Sequence, residues 1–323
     1  MARILTGVQS TGTPHLGNLL GAIIPAIEMS NRSTDDSFLF IADLHALTQI
    51  KDADQIKANT YATAAAWLAC GLDPKKTVFY RQSDVPQVTE LTWYLNCFFP
   101  YSRLSLAHSF KDKADRMEDI NAGLFTYPML MAADILLYDA QKVPVGKDQL
   151  QHLEMTRDVA SRFHAQFGEI FVLPEAVLRE SNMYVPGTDG GKMSKSKNNT
   201  IDVFLPEKQL RKQVMSIATD STPLEQPKDP DSCTVFSLYS MIADEDAVKK
   251  MRQQYKFGGF GYGDAKQALF ETLLEKFASA RLQFDKLMGR PEQMDKILQQ
   301  GAIKAKSVAN ETLLRVRKSL GFY

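Results

Sequence analysis

The chain has 323 residues, 44% of them apolar and 24% charged, an ordinary mixture for a soluble globular protein of one large or two smaller domains. Lys plus Arg equals Asp plus Glu at 38 each, so the whole molecule has no electrostatic bias towards nucleic acid, although a neutral total leaves room for a local basic face. Cys70, Cys97 and Cys233 are far apart and form neither a disulfide framework nor a metal pair; there is no apolar leader and no run of ~20 apolar residues, so a cytoplasmic protein without a membrane span is expected.

In chain order, Ile4-Leu5-Thr6-Gly7-Val8 reads as a strand turning at Gly7, and Leu19 to Met29 has helical apolar spacing. Phe38-Leu39-Phe40-Ile41-Ala42-Asp43 is an uninterrupted run, as expected of a strand buried on both faces. The alanine-rich stretch from Ala53 to Ala69 predicts a helix closed by Gly71. Thr77-Val78-Phe79-Tyr80 and Val143-Pro144-Val145 are further short strands, and the alternation of strand and helix argues for βαβ units on a parallel sheet. The pattern changes after about Tyr184. Val185 to Gly191 is turn-rich and reads as a mobile link; from Pro206 onward only helical spacing is found, broken by a proline loop at Pro223 to Ser232 and by an interhelical turn at Gly258 to Gly263. Residues 281–323 contain nine Lys/Arg against four Asp/Glu, which fits a solvated face or contact with an RNA backbone.

Two segments carry chemistry. After the first strand, Gln9-Ser10-Thr11-Gly12 leads to a helix starting near His15, in Thr13-Pro14-His15-Leu16-Gly17-Asn18. A turn at the carboxyl edge of a parallel sheet is where ligands bind, and free N–H groups at a helix start attract an anion. Gly17 allows a flat group to approach, while His15 and Asn18 can donate to phosphate oxygens; a plain strand–turn–helix with a surface histidine is the alternative. Downstream, Gly190-Gly191-Lys192-Met193-Ser194-Lys195-Ser196 places two lysines three apart on a glycine hinge, able to converge on one polyanion, with Ser194 and Ser196 as neutral donors. That pentapeptide arises by chance in a chain of this length on the order of one time in ten thousand.

The pair His15-Leu16-Gly17-Asn18 and Lys192-Met193-Ser194-Lys195-Ser196 resembles the two signatures of class I aminoacyl-tRNA synthetases. Gly123 to Pro128, Met131 to Tyr138, Val143 to Gln149, Gly261 to Gly263 and Gly301 to Ala309 resemble the tryptophan branch of that family, and Asn18, standing where the general class has a second histidine, favours tryptophan over tyrosine. The resemblance implies an α/β, Rossmann-like doubly wound parallel sheet over residues 1–190, a loop and connection over 191–205, and a C-terminal all-helical domain over 206–323 for the tRNA anticodon, its last helix returning to the catalytic domain. It further implies activation of L-tryptophan by ATP with Mg2+, transfer to tRNA(Trp), and a homodimer.

Site roles follow from the same likeness. His15, Asn18, Lys192, Lys195 and Lys111 would be catalytic. Gln9, Ser10, Thr11, Gly17, Gly146 and Asp148, with residues 192–196 including Met193, would contact ATP. Leu5, Gly7, His45, Tyr127, Met131 and Asp134, with Val143, Val145 and Gln149, would form the amino-acid pocket. Leu5 stands where bacterial relatives can carry an aromatic residue. Indole has an apolar face and one donor, so its pocket needs an apolar slot and one buried acceptor. Asp134, alone in an apolar helix, fits that demand; an Asp touching water or bonded to a neighbouring tyrosine is equally compatible with the sequence, as is ordinary strand core for the two valines. Tyrosine activation and an HxGH-type nucleotidyltransferase are the rival functions.

Overall fold

The computed structural model describes residues 2–107, 120–146, 149–178 and 184–322. Strands β1 (Arg3–Gln9), β2 (Asp36–Ala42), β3 (Thr77–Arg81), β4 (Lys142–Val145) and β5 (Glu175–Leu178) form one parallel sheet in the order β3-β2-β1-β4-β5. The chain builds outward from β1 to β3 and then returns to the other side of β1. The order therefore reverses at β1, and the crevice at its carboxyl end is a topological switch point.

The apolar run in β2 is explained by burial on both faces. Leu39 and Ile41 join Trp67 and Phe79 in one core, while Phe38 and Phe40 join Tyr80 and Leu91 in the other. Beneath the first face lies the helix Ala53–Ala69, whose Asp52 caps it by accepting from Gln55 N at 2.7 Å. Ala64, Ala65 and Ala66 are wholly buried there, so small side chains let this helix approach the sheet. Gly71 follows its end at φ +99°, as its place in the sequence suggests.

Three expectations need correction. β1 does not turn at Gly7 but runs to Gln9; Gly7 serves to admit the Phe40 ring, since a Cβ there would lie 2.4 Å from it. Asp43 does not end the second strand but opens the short helix Asp43–Ala46. The expected helix after His15 is composite: Leu16–Asn18, a π-helical stretch Leu19–Ile23, then Ile24–Arg32, in which Pro25 has no N–H to continue the regular ladder. β5 was unanticipated, being a four-residue edge strand with Glu175, Ala176 and Val177 exposed.

On the second sheet face pack the helices Gln87–Phe98, Ala122–Leu136 and Leu150–Phe167. From residue 206 on, the described residues are helical: Glu207–Met215, Thr234–Ile242, Glu245–Phe257, Tyr262–Lys276, Ala278–Met288 and Pro291–Ser319. The glycine turn lies between two of them, with Gly258 at φ +77° pressed against the Glu225 carbonyl. The last helix returns across the edge of β3. Its Met294 and Leu298 enter one core, and Ala302, Ala305, Ala309 and Leu313 the other. At the crossing Gly301 lies so close that a Cβ would meet the Phe79 carbonyl oxygen at 1.8 Å. Asp295 reinforces the seam, accepting from Arg81 Nη1 at 2.9 Å and from the Tyr61 hydroxyl. Among the described residues no helix is long and apolar enough to cross a membrane.

Candidate active site

A cavity of about 760 Å³ opens at the carboxyl end of β1. Leu5 to Gln9 line it from β1, Val143 to Val145 from β4, and Tyr127, Met131 and Asp134 from the helix Ala122–Leu136. His45, one turn beyond β2, and Gln149, before the next helix, complete this part.

Asp134 is 3% exposed. Its Oδ2 lies 3.0 Å from His45 Nε2, and Gln82 Nε2 donates to both carboxylate oxygens at 2.8 Å. Burial pushes the carboxyl above its usual range, and the bonds from His45 and Gln82 oppose that push. With Asp134 as the acceptor, His45 presents its hydrogen on Nε2. The tyrosine partner considered from the sequence is replaced by this His–Gln pair, while Tyr80 and Tyr138 stack edge to face beside it at 5.7 Å. Tyr127 is held by His152, hydroxyl to Nε2 at 2.8 Å.

At the other end, His15 caps the helix start. Its Nδ1 accepts from Asn18 N at 3.3 Å, and Asn18 Oδ1 accepts from His15 N at 3.2 Å. The neutral ring therefore has its hydrogen on Nε2, and the Asn18 amide, its oxygen engaged by His15 N, lines the cavity with its N–H donors uncommitted to that cap. Burial first, then the nearby Lys195 charge, lowers the His15 pKa to about 4. His15 is thus neutral at pH 7.

The lysine loop is docked over this start. Gly17 N donates to Met193 Sδ at 3.3 Å, and a Cβ on Gly17 would stand 3.0 Å from His15 Nδ1. Lys195 crosses the turn after β1, with Nζ 3.0 Å from where a Gly12 Cβ would be, and lines the cavity; Gly12 itself has φ +122°. Buried Asn199 fixes the loop's shape: it donates to Asp189 and to the Lys192 carbonyl and accepts from Ser194 N at 2.7 Å.

The structure divides the expected residues. Thr11, Asn18 and Lys195 join Gln9 and the pocket residues on the cavity wall. His15, Gly17 and Met193 form its adjoining rim. Of the two lysines, Lys195 lines the cavity and Lys192, whose backbone bridges to Pro186, does not. Ser194 and Ser196 bond each other at 2.9 Å, Ser10 is buried against Thr60, and Gly146 accepts from Gln149 N; none of the four lines the cavity. Lys111 and Asp148 lie outside the described residues. Sequence reasoning missed Gln82, although its place directly after β3, at the same ligand edge, could have drawn attention to it. It also missed His152, for which no local pattern is distinctive.

The sequence model of the family described as tRNA synthetases class I (W and Y) matches residues 1–278. Tryptophan--tRNA ligase from Campylobacter jejuni (strain RM1221) is 46% identical over 319 residues, covering 99% of both chains. The enzyme of the same name from Rhodopirellula baltica is 47% identical, again over 99% of both. A crystal structure of tryptophanyl-tRNA synthetase from Campylobacter jejuni complexed with ADP and tryptophan superposes with a TM-score of 0.95 at 46% identity, covering 99% of this chain and 100% of that one. The chain belongs to the class I tRNA synthetases of the tryptophan and tyrosine group. Within that group it falls among the tryptophan--tRNA ligases, which are aminoacyl-tRNA ligases.

Proposed function

We infer that the cavity binds L-tryptophan and ATP together, forms tryptophanyl-adenylate, and passes the tryptophanyl group to tRNA(Trp). The observation that carries this reading is Asp134, a buried acceptor at the base of an apolar slot formed by Met131, Val143 and Val145, matching an aromatic ring with a single donor. The likeness to a relative complexed with ADP and tryptophan supports it.

In the first step a tryptophan carboxylate oxygen attacks the α-phosphorus and pyrophosphate leaves. The carboxylate is already ionised at neutral pH, so the chain needs no general base. Its work is orientation and charge stabilisation. His15 donates through Nε2 and Asn18 through its amide to phosphate oxygens, and Lys195 offsets charge on the departing pyrophosphate. Gln9, Thr11 and Gly17 adjoin the nucleotide; for Ser10, Gly146 and Asp148 a role towards ATP rests on the family likeness alone; and Lys192, Met193, Ser194 and Ser196 reach it when the loop closes. Lys111 adds a further positive charge. Leu5, Gly7, His45, Tyr127 and Gln149 complete the amino-acid pocket. ATP would enter with Mg2+, which would offset charge on its phosphates; the described residues contain no group of three or more His, Cys, Asp or Glu side chains that could hold a metal. In the second step the terminal ribose 2′-hydroxyl of tRNA attacks the acyl carbon and AMP leaves.

The domain roles follow: residues 1–190 for catalysis, 191–205 for the loop and connection, and 206–323 for the anticodon, in a cytoplasmic homodimer. ATP–pyrophosphate exchange driven by tryptophan and not by tyrosine is expected. Exchange driven by tyrosine would replace the specificity reading, and exchange without an amino acid would favour a nucleotidyltransferase.

A further inference from the structure

Gln82 lies behind the cavity wall, in the turn that follows β3, and is 1% exposed. Its Nε2 gives both hydrogen bonds to Asp134, while its Oε1 is buried with no hydrogen-bond partner among the described residues. Buried amides ordinarily satisfy both ends. This one satisfies its donor on a single carboxylate at the expense of its acceptor, the signature of a constraint imposed by function rather than by stability. His45 holds Oδ2 from the short helix after β2, so Asp134 is gripped by donors from the segments that follow two strands. No lysine or arginine pairs with Asp134 among the described residues. A carboxylate has about four acceptor positions, and three are taken by the protein.

We propose that Gln82 is a specificity-determining positioning residue: it fixes Asp134 as a pure acceptor whose one remaining position is left to the ring N–H of the substrate. The proposal rests on the reading of Asp134 as the acceptor for indole. Without the amide, the carboxylate loses its orientation and the bonds that oppose its protonation, and a neutral acid would no longer select for a donor.

The test is ATP–pyrophosphate exchange by Gln82→Met and Gln82→Asn, compared between tryptophan and β-(3-benzothienyl)alanine, in which sulfur replaces the ring N–H. The wild-type chain should strongly prefer tryptophan. In both variants kcat/KM for tryptophan should fall by about 10- to 100-fold, mainly through KM, while the sulfur analogue changes by less than about threefold, the scale of one charge-assisted hydrogen bond. Gln82→Asn keeps an amide but withdraws it by one methylene, so it gives the same readout if Gln82→Met fails to fold. Equal losses for both amino acids would reduce Gln82 to a packing role and overturn the proposal, as would unchanged selectivity. A wild-type chain that does not distinguish the two amino acids would overturn the reading of Asp134 itself, and this proposal with it.

Discussion

Replacing His15 by Asn separates a buried histidine's proton from its capping role. Asn retains an acceptor for the Asn18 N–H, so the helix start is preserved. In the folded chain, burial and then Lys195 hold the imidazole at about 4, against an ordinary 6.5, at a position 7% exposed. Between those values the unfolded chain binds more protons than the folded one. Stability from this group is therefore intact above about pH 6.5 and is lost as pH falls towards 4. The gap corresponds to about 3 kcal/mol when fully developed and about 2 kcal/mol at pH 5. Urea unfolding followed by circular dichroism at pH 7.5 and pH 5.0 checks this. Wild type should lose about 2 kcal/mol more than His15→Asn over that interval. Parallel losses would show that His15 takes up its proton freely in the folded state and would refute the electrostatic account.

Lys195→Ala should lower the rate of pyrophosphate exchange by about 100- to 1000-fold with little change in KM for tryptophan, and an undiminished rate would remove Lys195 from the transition state. Gly7→Ala places a methyl within 2.4 Å of the Phe40 ring; turning that ring into the cavity should raise KM for tryptophan by about tenfold and leave KM for ATP nearly unchanged. Gly301→Ala gains about 1 kcal/mol of helix propensity but drives Cβ into the backbone of β3, so a net loss of roughly 2 kcal/mol and a melting point lower by about 3 °C are expected by calorimetry. Asn199→Ala should make trypsin cut at residues 192–197 about tenfold faster by removing the bonds to Ser194 and Lys192; equal rates would count against Asn199 as the loop's clamp.

Features written in local pattern were the legible ones. The run from Phe38 to Ala42 announces burial on both faces, and the helix from Ala53 to Ala69 falls within its predicted bounds. The two signature segments lie together, with Met193 docked on Gly17. What was hidden depends on partners distant in sequence. Gln82 acquires meaning only from Asp134, 52 residues away. Gly7 resembles a turn until the Phe40 ring is laid across it. Spacing in the lysine loop suggested convergence, but Lys195 lines the cavity and Lys192 does not.

The crossing of Gly301 over Phe79 also sets a timetable for synthesis. β3 is an edge strand, and the helix that covers it is made about 220 residues later. At ribosomal rates of about 5–20 residues per second, the nascent chain carries that edge uncovered for about 10–40 s. An uncovered edge is a template for pairing with other chains. Lys75 and Lys76, exposed immediately before Thr77, set two positive charges at its start, a placement that disfavours pairing with another strand.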